Sequence, residues 1–141
     1  MTTLKSELLD IAPFIIGATR GRVYSVDASN GELVWENRLE GGGACVPALA
    51  ISSRRVFASA QGDVLFCFAY RTGELMWKSD TARGGRASIL IHERRVYVAK
   101  GGTMECFTSS GEKLFRTELD KKGEGAMALG YPGKVVLGDE R

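Results

Sequence analysis

The sequence predicts an all-β fold of four-stranded antiparallel blades of the β-propeller type, about three and a half of them in 141 residues. Three observations carry that reading. One short pattern occurs in triplicate, as Gly31-Glu32-Leu33-Val34-Trp35, Gly73-Glu74-Leu75-Met76-Trp77 and Gly111-Glu112-Lys113-Leu114-Phe115. The step from Trp35 to Trp77 is 42 residues and that from Trp77 to Phe115 is 38, near the length of about forty residues that one four-stranded blade occupies. Between these landmarks the chain reads as short apolar runs separated by turn residues, with little that could hold a helix.

The turn signals set the order of elements. Ahead of the first landmark, Phe14 to Ala18 and Val23 to Asp27 match the second and third strands of a unit. Leu4 to Ile11 reads as a weak first strand or, from the spacing of Leu4, Leu8 and Leu9, as a helical turn. In the second unit, strands are expected at Val46 to Ser52, Val56 to Ala60, Val64 to Tyr70 and Leu75 to Ser79, joined by three hairpin turns. The third unit copies it at Ala87 to Ile91, Val96 to Lys100, Met104 to Thr108 and Lys113 to Leu119. Met127 to Leu129 and Lys134 to Gly138 then supply two strands of a fourth. The chain is read as one domain, 1–141, with repeats at about 13–40, 44–81, 86–120 and a partial one at 125–141.

The third strands fix how the units meet. Val23-Tyr24-Ser25-Val26 and Leu65-Phe66-Cys67-Phe68 do not alternate with polar residues as a strand with one wet face would, so both faces are covered. Neighbouring sheets must therefore stack. A propeller ring takes about four to eight blades, so an isolated copy would leave two sheet faces and a strand edge open. Self-association is the expected remedy, a dimer of about seven blades in which the trailing strands of one copy complete the leading blade of the other. Second-strand segments at both ends of the chain argue against that closure.

Composition bounds the function. The hydrophobic fraction of 44% and charged fraction of 26% belong to a packed domain. A net charge of +2 is too small for the field of a nucleic-acid binder. The longest early apolar run, Ile11 to Ala18, contains a proline and a glycine, and no stretch nears the roughly eighteen apolar residues that cross a bilayer. Cys45, Cys67 and Cys106 are odd in number and form no C-x-x-C pair, which favours reduced, buried thiols. These features lead to an expectation of a cytoplasmic protein without membrane contact.

The run from Val23 to Trp35, with its Tyr24, Asp27, Gly31 and Trp35, resembles the repeat of pyrroloquinoline-quinone-type propellers, and the resemblance extends from about Pro13 to the end. It implies that tryptophan and glycine lock adjacent blades, which makes Gly31, Trp35, Gly73, Trp77, Gly111 and Phe115 structural repeat positions. Later copies drift: Ala69 stands where Asp27 does, and Phe115 replaces the tryptophan. Quinone-dependent dehydrogenases of that family carry their cofactor in a complete ring with a calcium-like ion, a catalytic aspartate and often adjacent cysteines. No residue here maps onto that site. Relatives with the same repeats and no cofactor serve as assembly scaffolds or sensor domains, and the chain looks more like these.

Other candidate chemistry is sparse. His92 is the only histidine, expected in a turn without the Ser or Cys and orienting acid that catalysis needs. A zinc site of His92 with the three cysteines would draw on different blades, and the cysteines read better as small packing residues. Gly41-Gly42-Gly43 lacks a phosphate-loop ending and reads as a linker between blades. Arg54-Arg55 and Arg94-Arg95 share one end of the sheets with Glu74 and Glu112, giving a mixed, solvated rim. At the opposite end, Arg20, Arg22, Arg83, Arg86 and Lys100 are the candidates for ligand contact, because loops on one propeller face converge.

The expectation is a non-enzymatic scaffold or protein-interaction module without cofactor or metal, whose partner is a second copy of itself, as a dimer, or another protein. The alternatives are a small quinoprotein or redox subunit completed by oligomerisation, and a piece of a longer propeller.

Overall fold

In the computed structural model, residues 13–41, 46–60, 62–84, 86–121 and 126–136 are described. Their strands are β1 (Phe14–Thr19), β2 (Arg22–Asp27), β3 (Leu33–Arg38), β4 (Ala48–Ile51), β5 (Arg55–Ser59), β6 (Val64–Ala69) and β7 (Leu75–Asp80). There follow β8 (Ser88–His92), β9 (Arg95–Lys100), β10 (Thr103–Thr108), β11 (Lys113–Glu118), β12 (Leu129–Tyr131) and β13 (Lys134–Val136). They form four antiparallel meanders in chain order: β1-β2-β3, β4-β5-β6-β7, β8-β9-β10-β11 and β12-β13. The fold is therefore the all-β blade architecture that the period predicts. Leu4 to Ile11, Gly42, Gly43 and Cys45, on which several expectations rest, lie outside the described residues.

Local sequence explains the hairpins. Arg20-Gly21, Glu93-Arg94 and Gly101-Gly102 each put two successive residues at positive φ (47° and 76°, 48° and 67°, 53° and 85°). That is the twist of a two-residue type I′ turn, which matches the twist of the strands it joins. The pairings Thr19↔Arg22, His92↔Arg95 and Lys100↔Thr103 close directly onto these turns. His92 thus ends β8 rather than occupying a turn, and its ring lies 4.1 Å from that of Tyr131 in the next sheet.

The last two strands of each of the first three sheets share an irregularity. Register shifts follow Ser25, Cys67 and Cys106, the residues paired with Trp35, Trp77 and Phe115. A bulge adds local twist, and here it recurs at the repeat position that faces the aromatic.

Packing follows the non-alternating strands. Phe66 and Phe68 of β6 join Val23, Trp35 and Val56 between the first and second sheets. Leu65 and Cys67 of the same strand point the other way, into a cluster with Phe57, Ile89 and Phe107 between the second and third. Leu90, Ala99 and Leu129 bridge the third and fourth. One strand serves two cores, so the sheets stack face to face as separate layers.

Candidate functional site

Two contacts join each pair of complete sheets, and both grow from the triplicate landmark. The indole of Trp35, 8% exposed, donates from Nε1 to the Tyr70 carbonyl at 2.8 Å. Its ring lies flat on Gly73, where a Cβ would come within 2.3 Å of Cδ2. Asn37 Nδ2 adds a bond to the Gly73 carbonyl at 2.8 Å. One blade on, Trp77 Nε1 donates to the Ser109 carbonyl at 2.9 Å, and a Cβ on Gly111 would approach the Trp77 ring to 2.7 Å. Glycine is needed at these places for a second reason: φ is 75° at Gly73 and 96° at Gly111, a region costly for side chains.

The same positions at the two ends have no such contact. Nothing among the described residues lies within 4 Å of a Cβ placed on Gly31. Phe115 is 41% exposed, with Tyr97 of its own sheet as the neighbouring ring at 6.3 Å. Ile15 of the first sheet is 59% exposed and Val135 of the fourth 67%.

Charged groups are buried where blades two and three meet. Lys100 is 2% exposed and its Nζ sits 2.6 Å from Asp63 Oδ1, in the β5–β6 turn of the neighbouring blade. Glu105, 1% exposed, accepts from the Ala82 N–H at 2.5 Å and faces Lys113 Nζ at 2.6 Å, the latter an ion contact rather than an aligned hydrogen bond. Lys100 is thus a clasp inside the stack and not a loop-face cation. Of the other loop-face candidates, Arg20 and Arg83 are exposed, Arg22 is half-buried at the start of β2, and Arg86 is half-buried with a partner of its own.

At the opposite end a groove of about 540 Å³ opens between blades two and three. Arg54, Arg55 and Arg94 line it above a floor of Phe57, Ile91 and Val96. Glu74 and Glu112 do not line it, so the mixed rim expected from sequence is basic at this point. The two described cysteines lie elsewhere, buried in separate blades. Burial pushes the Cys67 thiol up to about 12 and raises that of Cys106, which disfavours the thiolate that metal binding and nucleophilic chemistry require. Among the described residues no group of three His, Cys, Asp or Glu side chains is placed to hold a metal ion.

Comparison with known proteins agrees with this geometry. The family described as outer membrane protein assembly factor BamB, of the pyrroloquinoline-quinone-like repeat class, matches residues 12–82 and again 60–140. The BamB of Francisella tularensis subsp. tularensis (strain SCHU S4 / Schu 4) is 23% identical over 125 residues, which is 86% of this chain and 26% of that protein. The crystal structure of BamB from Moraxella catarrhalis superposes with a TM-score of 0.72 at 19% identity, over 90% of this chain and 40% of that one. A quinohemoprotein alcohol dehydrogenase from Pseudomonas putida HK5 superposes with 0.62 at 14% identity, over 75% of this chain and 19% of that one. The chain thus spans about a quarter of the length of its curated relative.

The family match corrects the cytoplasmic expectation, because a factor that assembles outer membrane proteins belongs with the cell envelope. The expectation of no membrane contact loses its basis with it. The misreading has a physical cause. The lack of a bilayer-length apolar run and of paired cysteines is an absence that names no compartment, and a buried thiol is a packing residue in any of them. With repeats, sheet order and blade contacts in agreement with the match, the chain belongs to the BamB family of pyrroloquinoline-quinone-like β-propeller repeats.

Proposed function

We propose that this chain is a non-catalytic interaction scaffold for the assembly of outer membrane proteins, built of blades at about 13–40, 44–81, 86–120 and 125–141 and completed by docking further blades onto its two ends. One observation carries the proposal. The aromatic-on-glycine contact is made at Trp35–Gly73 and Trp77–Gly111, while Gly31 and Phe115 stand open beside exposed apolar faces. The two ends are complementary, one offering a glycine and the other an aromatic. A second copy would set Phe115 onto Gly31, and two such contacts related by a two-fold axis would close a ring. Recognition then falls to loops and grooves held in fixed positions by the stacked sheets.

Light scattering on the purified chain tests this. The expected mass is twice 15.3 kDa, falling to the monomer in Phe115→Arg, which keeps its own fold because the ring it removes is on an outer strand. A wild-type monomer at concentrations of about 0.1 mM, far above the range of a stable interface, would end the second-copy reading.

The second reading is a longer propeller whose further blades lie on the same polypeptide. It is favoured by the 26% and 40% shares of the relatives that the chain spans. Attaching the neighbouring coding sequence, if it supplies another glycine-glutamate-x-x-tryptophan unit, would then convert the open ends into internal contacts.

A further inference from the structure

The groove between blades two and three opens at the rim of the core that joins them, where Phe57, Ile91 and Val96 meet three arginines. We propose that it binds an acidic segment of a partner protein, a carboxylate side chain flanked by an apolar residue. The proposal rests on the scaffold reading and names the chemistry of one of its contact sites.

The mouth gathers guanidinium groups from two blades. Arg54 and Arg55 come from the β4–β5 turn of one sheet and Arg94 from the β8–β9 turn of the next. Among the described residues no carboxylate pairs with any of them. Arg55 Nε is buried without a hydrogen-bond partner, and an orphaned buried donor is costly unless something fills the place. Guanidinium forks fit carboxylate oxygens two at a time. Ser52, Ser53 and Ser109 add hydroxyls to the same lining.

The walls are preorganised. Ser52 Oγ accepts from the Arg55 N–H at 3.0 Å, and the Ser52 N–H donates to the Arg55 carbonyl at 2.9 Å, so the first turn is internally tied. The second is a type I′ turn, with Glu93 and Arg94 both held at positive φ. Below the cations the half-buried Ile91 offers apolar surface, with Phe57 and Val96 closing the core beneath it. A volume of about 540 Å³ suits one or two side chains, whereas a nucleic acid would need a track of cations along the surface that a net charge of +2 does not provide.

The test is fluorescence anisotropy with a fluorescein-labelled peptide of alternating glutamate and leucine, against the same peptide with glutamine in place of glutamate. The acidic peptide should saturate, and the glutamine peptide should not. Arg54→Glu with Arg94→Glu should weaken binding by about tenfold or more, while Arg38→Glu, at an exposed position of β3, leaves it unchanged. Should the double reversal fail to fold by circular dichroism, Arg54→Gln with Arg94→Gln keeps the test available, with the same direction of effect. Equal losses in the Arg38 and groove variants would reduce the effect to general charge and overturn the proposal, as would binding that ignores both. Tighter binding of an oligouridylate that displaces the peptide would overturn it in favour of nucleic acid. Light scattering on the same variants separates the two claims: intact association with no peptide binding sinks the groove and leaves the scaffold standing.

Discussion

Residues 25, 67 and 106 show how one position can look chemical and be structural. Ser25, Cys67 and Cys106 are fully buried, pair with the landmark aromatics and precede the same bulge. The need there is for a small side chain opposite a large ring, and serine or cysteine meets it. Because burial raises the Cys67 thiol to about 12 from 9.0, its proton is held by the folded state and released by the unfolded one in between. The contribution is therefore intact below pH 9.0 and is lost as pH rises toward about 12. Urea unfolding at pH values of about 8 and about 10.5 should show a drop in stability that is smaller in Cys67→Ala than in the parent chain. Equal drops would place that thiol in water. This packing role was legible in the sequence from repeat alignment alone; the compartment was not, since a core thiol carries no record of its redox surroundings.

Among elements, sequence places the turns but misplaces two strand-end residues beside them, His92 and Lys100. The period and the glycine signals located every described strand except β3, which had only its landmark, to within a few residues, because type I′ turns and apolar runs are local properties. Lys100 was read as a loop cation because it adjoins Gly101-Gly102, and it is in fact enclosed. Gly84 of the linker presses on that turn, where a Cβ would meet Gly101 Cα at 2.7 Å, and Asp63 arrives from another blade. Contacts of that kind have no sequence signature, since partners 37 residues apart meet only after stacking. Asp63→Asn keeps a residue that tolerates the positive φ of 56° but strands the Lys100 charge. It should cost about 2 kcal/mol, less than a fully buried pair because Asp63 retains part of its side chain in water. Adding Lys100→Met should recover most of that loss. A double variant as unstable as the sum of the two singles would show that the pair is not coupled.

At the scale of the molecule, stacked sheets that share apolar cores explain how the blades hold one another. The proposed ring closure depends on surfaces that a repeat period does not describe, so the period could forecast the architecture without naming an occupant. The groove arginines were visible as pairs in sequence, yet their separation from Glu74 and Glu112 is a matter of where two blades part. What holds the blades together can be isolated with two glycines in the same turn geometry. Gly31 and Gly73 have φ of 76° and 75°, but only Gly73 faces an indole. Urea unfolding of Gly31→Ala and Gly73→Ala, at a dilution that dissociates any dimer, compares them directly. Both should lose about 1 to 2 kcal/mol to backbone strain, and Gly73→Ala should lose about 2 kcal/mol more from the displaced Trp35 ring. Equal losses would contradict blade locking by aromatic on glycine.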